Sequence, residues 1–248
     1  MFKQKSLLNF FIEQQKKLTQ IQKLDFSLQL KKEQAESLIT KNKLNFNFKL
    51  KIENLLQKNE FSQNFVTIPN YVTDSEFSSF FNTKTISSDD ILINEIYSLF
   101  TSPLQENCND FLLYKNDDCM VFRSGFFSDE YDLYESMLLG FDGMVVYSYG
   151  MDKYKIQLLT EIARDYHFTL MFIVHNKQEI REVLETDAPY IAISGFNPKT
   201  FEVDFSHFVH LSQYIPKTTN LIAWSGYLDN SKKIFLKDIG YKVVFELN

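Results

Sequence analysis

Few side chains in this 248-residue chain have the types and spacing that chemistry demands. His207 and His210 stand three apart and could offer a metal two ligands from one helical face. No cysteine or third histidine lies near them, so they read as a polar helix face, and no metal site is expected. Cys108 and Cys119 form neither a disulfide framework nor a zinc pattern. His175 closes the apolar run Thr169–Val174 and reads as structural. Asp74, Glu95 and Ser225 sit near the ends of such runs, where an acid–base site could assemble; structural roles are the plainer reading for these too. All seven glycines lie at or after Gly125, and phosphate-binding loops depend on glycine, so a P-loop or dinucleotide fingerprint is excluded and no cofactor is expected. Only three arginines occur, Arg123, Arg164 and Arg181, which argues against specific phosphate or base readout.

The elements that must position these residues fall into two textures. Residues 1–60 carry 12 Lys against 6 Asp+Glu, a net +6, so the rest of the chain carries −12 within the overall −6. Leu7, Leu8, Phe11, Leu18, Ile21 and Leu24 recur at helical spacing, and no Gly or Pro interrupts residues 2–58. The basic stretch is read as a solvated helical face. Beyond it, short apolar runs alternate with helical stretches: Phe65–Pro69, Ile91–Glu95, Met120–Arg123, Gly143–Tyr147, Thr169–Val174, Tyr190–Ser194, Asn220–Trp224 and Tyr241–Phe245. Lys153–Asp165 and Lys177–Glu185 are the clearest helices between them. Eight such strands predict a (β/α)8 barrel over residues 61–248, with residues 1–60 as a helical extension packed on it. Only Glu246, Leu247 and Asn248 follow the last run, so the eighth helix is expected to be missing or truncated, and the N-terminal helices to cover the seam it leaves. No run reaches a membrane span and no signal-peptide layout opens the chain. Reduced cysteines and this soluble composition predict a cytoplasmic protein.

Phe122 to Asp142 reads Phe-Arg-Ser-Gly-Phe-Phe-Ser-Asp-Glu-Tyr-Asp-Leu-Tyr-Glu-Ser-Met-Leu-Leu-Gly-Phe-Asp. This segment resembles the third strand and helix of indole-3-glycerol-phosphate synthase, the barrel enzyme of tryptophan biosynthesis. Asn197, Lys199, Thr200, Phe201, Glu202, Val203 and Asp204 match the family's Asn-Leu-Lys-Thr-Phe-Glu-Val-Asp. Ile222–Gly226 is similar to its Ala-Glu-Ser-Gly, Val174-His175 to the end of its Val-Glu-Val-His, and Leu99–Leu104 more faintly to its Phe-Phe-Gly-Gly-Ser-Leu. The resemblance runs in order over about residues 65–245.

It implies a lysine general acid, proton-shuttling glutamates and phosphate donors at the strand ends. Here those positions are replaced. The strand-one glutamate falls on Ile68 and the substrate-binding lysine on Asn70. The strand-three lysine falls on Ser124, and the aspartate after it on Gly125. The strand-five glutamate falls on Ile173, the strand-six asparagine on Ser194 and the nearby arginine on Phe196. The strand-seven glutamate falls on Trp224, while Ser225 and Gly226 survive as candidate substrate-binding residues. The glycine-bearing phosphate segment falls on Glu246–Asn248, which would set a carboxylate where a phosphate should sit.

Isoleucine neither gives nor takes a proton, and one positioned acid or base contributes roughly 10²–10⁴ in rate. The sequence therefore predicts a catalytically silent member of the family, a pseudoenzyme acting as a binding or scaffold protein. An active synthase and a barrel repurposed for another ligand are the alternatives. Phe100, Phe126, Phe196 and Trp224 should ring the mouth, as a filled pocket or as a site for an apolar small molecule or protein partner.

Overall fold

The computed structural model describes residues 7–41, 48–58, 65–72, 95–101, 115, 119–219 and 221–247. Eight parallel strands close into a barrel in sequence order: β1 (Val66–Val72), β2 (Ile96–Phe100), β3 (Met120–Ser124), β4 (Gly143–Tyr147), β5 (Thr169–Val174), β6 (Tyr190–Ser194), β7 (Leu221–Ser225) and β8 (Tyr241–Leu247). Closure is made by β1 and β8, where Ile68 stands opposite Phe245. The strands are buried almost throughout, as parallel strands covered on both faces must be. Side chains alternate between an interior cluster with Ile68, Phe122, Val145, Ile173 and Phe245 and an outer cluster facing the helices with Leu99, Val121, Phe172 and Ala223.

Helices α4 (Glu130–Leu138), α5 (Lys153–Asp165), α6 (Lys177–Leu184), α7 (Ser206–Ser212) and α8 (Asn230–Asp238) follow β3 to β7. Side-chain caps fix where four of them begin. Asp129, Asp152, Asn176 and Asp229 each accept a backbone N–H from the first turn, satisfying donors that the helix leaves orphaned. Gly140 and Gly240, at φ +87° and +108°, end α4 and α8 in the left-handed conformation that other residues resist. Among the described residues no helix is long and apolar enough to cross a membrane.

Two expectations shift. The second strand lies not at Ile91–Glu95 but at Ile96–Phe100. Residues 91–94 fall outside the described residues, and Glu95 is an exposed bend. The polar Glu95 precedes five residues that are all buried, and it is this continuous buried run that the barrel takes up. Glu95 therefore stands at the N-terminal end of the barrel, away from the mouth, while Leu99 and Phe100 end β2. Asp74 and Cys108 fall outside the described residues.

The three N-terminal helices, α1 (Leu7–Asp25), α2 (Leu28–Lys41) and α3 (Phe48–Lys58), spread over the barrel rather than gather on the seam between β8 and β1. α1 lies across the C-terminal end, where the backbone N–H of Leu8 donates to the carbonyl of Pro198 at 3.0 Å. α2 packs on α4, with Lys31 paired to Glu135 at 2.7 Å. α3 closes the N-terminal end: the Phe48 ring meets Phe122 and Tyr190 edge-on at 5.1 and 4.9 Å.

Candidate functional site

Strand alternation brings the sequence-predicted positions together. Ile68 and Asn70 on β1, Phe100 on β2, Ser124 on β3, Ile173 on β5, Ser194 on β6 and Trp224 on β7 are all essentially without solvent exposure. Ile68, Phe100, Phe126, Ile173, Phe196 and Trp224 belong to one continuous interior cluster. The Ser124 hydroxyl donates to Asn70 Oδ1 at 2.9 Å, so these two residues answer each other. Among the described residues, Asn70 Nδ2 and the Ser98 hydroxyl on the facing strand are buried without a partner. Ser194 Oγ accepts the backbone N–H of Phe196 at 3.1 Å. At Gly125 an added Cβ would lie 2.7 Å from the Phe127 ring and 2.9 Å from the Thr101 carbonyl, which leaves no room for an aspartate.

Ser225 and Gly226 sit differently. Trp224 takes the inward position, so Ser225 is turned the other way. It is buried against Gly195 with its hydroxyl unpartnered among the described residues, and Gly226 rests beside Val203 and Phe196.

Three mouth residues escaped the sequence reading. Tyr147 ends β4, its hydroxyl bonded to the Trp224 side chain and its ring stacked on Phe126 at 5.4 Å. Burial pushes its phenol well above the ordinary range. Phe201 holds φ +59° in the loop after β6, where a bridge between Phe196 and Val203 closes a tight hairpin. Phe11 comes from α1: its ring lies parallel to Phe126 at 4.9 Å and meets Phe201 edge-on at 6.0 Å. Leu8 and Ile12, one helical turn apart, are buried in the same interior cluster. The signals were present, in the strand parity of Tyr147 and in the apolar stripe of α1, but the stripe does not say which surface it covers.

Among the described residues, the charged groups nearest this interior are turned away from it. Glu246 accepts the backbone N–H of Leu228 and the Lys233 ammonium, both at 2.6 Å, so its carboxylate is held outward by α8 and does not occupy the mouth. The sequence had placed it in a phosphate position; alternation along β8 puts Phe245 and Leu247 inward instead. Arg123 points outward to Glu135 at 3.0 Å, beneath the Phe127 ring. His175 stacks on Tyr147 at 5.5 Å, and its backbone N–H donates to Glu179 at 2.7 Å, tying the end of β5 to α6. His207 pairs with Asp204 and His210 lies against Tyr214, both on α7. Among the described residues no three His, Cys, Asp or Glu side chains converge as a metal site would require.

Comparison with known proteins bears on what this mouth descends from. The family model of indole-3-glycerol phosphate synthase matches residues 112–244, more than half of the chain. The chain belongs to the indole-3-glycerol phosphate synthase family. Relatives bearing that description include one from Alkaliphilus metalliredigens, 30% identical over 124 residues, which are 50% of this chain and 48% of the relative. Another, from Campylobacter fetus, is 29% identical over 120 residues, 48% of this chain and 46% of the relative. The matches thus span about half the length of these relatives. Among solved structures, the YdjI aldolase of Escherichia coli K12 superposes with a TM-score of 0.51 at 10% identity, covering 82% of this chain and 80% of that one. A structure described as native KDPGal gives 0.51 at 14% identity, covering 76% and 84%. At such identities these two speak to the barrel fold alone.

The inward positions that the family resemblance assigns to a lysine and three glutamates hold Ser124, Ile68, Ile173 and Trp224, packed together with the aromatic rings. Proton transfer needs a titratable group within hydrogen-bond reach of the reacting atom. These side chains supply none.

Proposed function

We propose that this chain is a non-catalytic member of the indole-3-glycerol phosphate synthase family and works as a binding or scaffold protein in the cytoplasm. The observation that carries this reading is the packing of Ile68, Ile173, Trp224 and Phe126 with Phe11 of α1 over the barrel mouth. A mouth filled this way neither moves protons nor welcomes a hydrophilic sugar phosphate. Residues 1–60 then act as an extension that closes the barrel of residues 61–248 in place of a substrate. Its lysine-rich outer face is the side offered to an acidic protein partner.

Purified protein should convert the carboxyphenylamino-deoxyribulose phosphate substrate no faster than a buffer blank. It should also fail to complement a tryptophan auxotroph. Growth of that auxotroph on this chain alone would return it to tryptophan synthesis as an active enzyme. A second reading, a barrel repurposed for another small molecule, draws on Asn70 Nδ2 and the Ser98 hydroxyl inside the barrel, both unpartnered among the described residues. Micromolar binding of a sugar phosphate in a calorimetric titration would favour it over the scaffold.

A further inference from the structure

The way α1 is held over the mouth carries a consequence for its regulation, resting on the reading of α1 as the cover of that mouth. Besides its apolar contacts, α1 is pinned by a buried polar junction. The Thr19 hydroxyl stands 2.9 Å from Asp132 Oδ1 on α4, and Gln15 Nε2 stands 3.3 Å from the same oxygen. Asp132 Oδ2 accepts the backbone N–H groups of Ser128 and Asp129 at 3.3 and 3.1 Å. Gln15, Thr19 and Asp132 are all buried, Asp132 completely. No cation touches this carboxylate among the described residues. Arg123 acts on it from a distance while bound to Glu135, and Lys23 of α1 is spent on Asp129 at 2.8 Å. Asp129, the other charge facing it, is negative and adds to the strain of ionisation.

A carboxylate sealed in this way is costly, and the junction fits the neutral acid equally well. With a proton on Oδ1, Asp132 donates to Thr19 Oγ1. The Thr19 hydroxyl then turns its own hydrogen to the Gln15 carbonyl, already 3.1 Å away. Oδ2 keeps both backbone donors. Gln15 Oε1, buried and unpartnered among the described residues, gains the option of facing the acid proton through rotation of its amide. No hydrogen bond is lost and the buried charge is gone.

We propose that α1 is a proton-coupled latch on the barrel mouth, gripping through Gln15 and Thr19 more tightly when the Asp132 carboxyl is protonated. Lifting α1 returns that carboxyl to water. Burial raises the Asp132 pKa from 3.8 to about 6 in the closed form, so the closed form takes up a proton that the open form releases. The closed form is accordingly favoured as pH falls through about 6, and it loosens as pH rises. Asp129, held below its ordinary value mainly by Lys23 against the opposing effect of its own burial, stays ionised across this window. It does not reverse the sign.

Hydrogen–deuterium exchange on the full chain reads the latch directly. Protection of the α1 amides, corrected for intrinsic rates, should fall about tenfold between roughly pH 5 and roughly pH 7.5, while β4 and β5 amides hold steady. Asp132→Asn, neutral at every pH and able to donate to Thr19 while accepting from Ser128, should show the acid-level protection at both pH values. A ¹³C-carboxyl NMR titration of the wild-type chain covers the case in which the variant does not fold; a midpoint near 6 is expected. Equal α1 protection at the two pH values, a loss of protection at acid pH, or a carboxyl midpoint near 4 would overturn the latch. None of these readouts depends on turnover. An active enzyme with a pH-dependent α1 would refute the scaffold reading alone, and a silent protein with a pH-independent α1 the latch alone.

Discussion

Putting a lysine back at Ser124 tests the reasoning about the mouth most severely. Ser124 has no solvent exposure, its hydroxyl is bound to Asn70, and its register neighbours are Phe100 and Val145. An ammonium there would meet one amide oxygen and no inward-facing carboxylate among the described residues, since Glu246 is held by Lys233 and Asp132 lies outside the barrel. Fully buried lysines titrate as low as about 5–6, so this one would be neutral at pH 7. At about 1.4 kcal/mol for each pH unit below its usual value of about 10.4, that costs about 5 kcal/mol. Overpacking adds roughly 1–3 kcal/mol. A domain with a total stability of roughly 5–15 kcal/mol would lose a large share of it.

The sign of the pH dependence is fixed. A lysine whose folded pKa is depressed loses stability as pH falls below its unfolded value, so Ser124→Lys should recover relative to wild type as pH is raised from 7 toward 10. Urea unfolding of both proteins across that range measures it. On the non-catalytic reading proposed above, the variant should show no ring closure either, because Ile68 and Ile173 still cannot relay a proton. A variant as stable as wild type at pH 7, with a parallel pH profile, would refute the picture of a dry, uncharged mouth.

Other substitutions probe separate contacts. Phe11→Ala removes the ring stacked on Phe126 and should cost about 2 kcal/mol, read as earlier thermal melting and faster exchange of α1 amides; unchanged α1 exchange would detach that ring from the closure. Lys233→Met strands the buried Glu246 carboxylate and should cost about 3 kcal/mol, and adding Glu246→Gln should recover part of it. A double variant no better than the single one would contradict the pairing. Gly195→Ala drives a Cβ to within 2.5 Å of the Phe208 ring, which is fully buried, and should lower the urea midpoint by the equivalent of about 1–3 kcal/mol. Phe208→Leu in the same background should relieve it.

How much of this was legible in the sequence depends on whether a signal is local. The helix at Lys153–Asp165 was found to the residue, because its cap Asp152 and its apolar period both lie within the segment. β3 to β8 were found nearly as closely, since each is a compact apolar run bounded by polar residues. The second strand was misplaced because Ile91–Ile93 is as apolar as Ile96–Phe100. The described strand takes up the run Ile96–Phe100, all five of whose residues are buried. Phe11, Phe126 and Phe201 illustrate the other limit. Each is one aromatic among 25 phenylalanines, and their stacking depends on a helix arriving from more than a hundred residues away. Glu246 shows the same limit in electrostatics: its strand position was readable, but Lys233 and the Leu228 N–H that turn it outward belong to the loop and helix before it.

The inward positions that the resemblance assigns to catalytic groups form a thermodynamically coherent set. Enzyme mouths keep unpaired charges in a partly desolvated cleft and give up stability for it. Here the inward positions carry isoleucine, tryptophan and serine, and each large apolar side chain fully buried stabilises the fold by roughly 1.5–3 kcal/mol. The gain is realised only if water is kept out. The neighbours supply that exclusion: Phe126 shelters Tyr147, Trp224 satisfies its hydroxyl, and α1 lays Leu8, Phe11 and Ile12 over the opening. Restoring a charge to the interior while α1 stays docked would be opposed by all of them. Removing α1 would bare an apolar surface in their place. The mouth and its cover are therefore one packed unit, and the buried Asp132 carboxyl is where that unit still responds to the solvent.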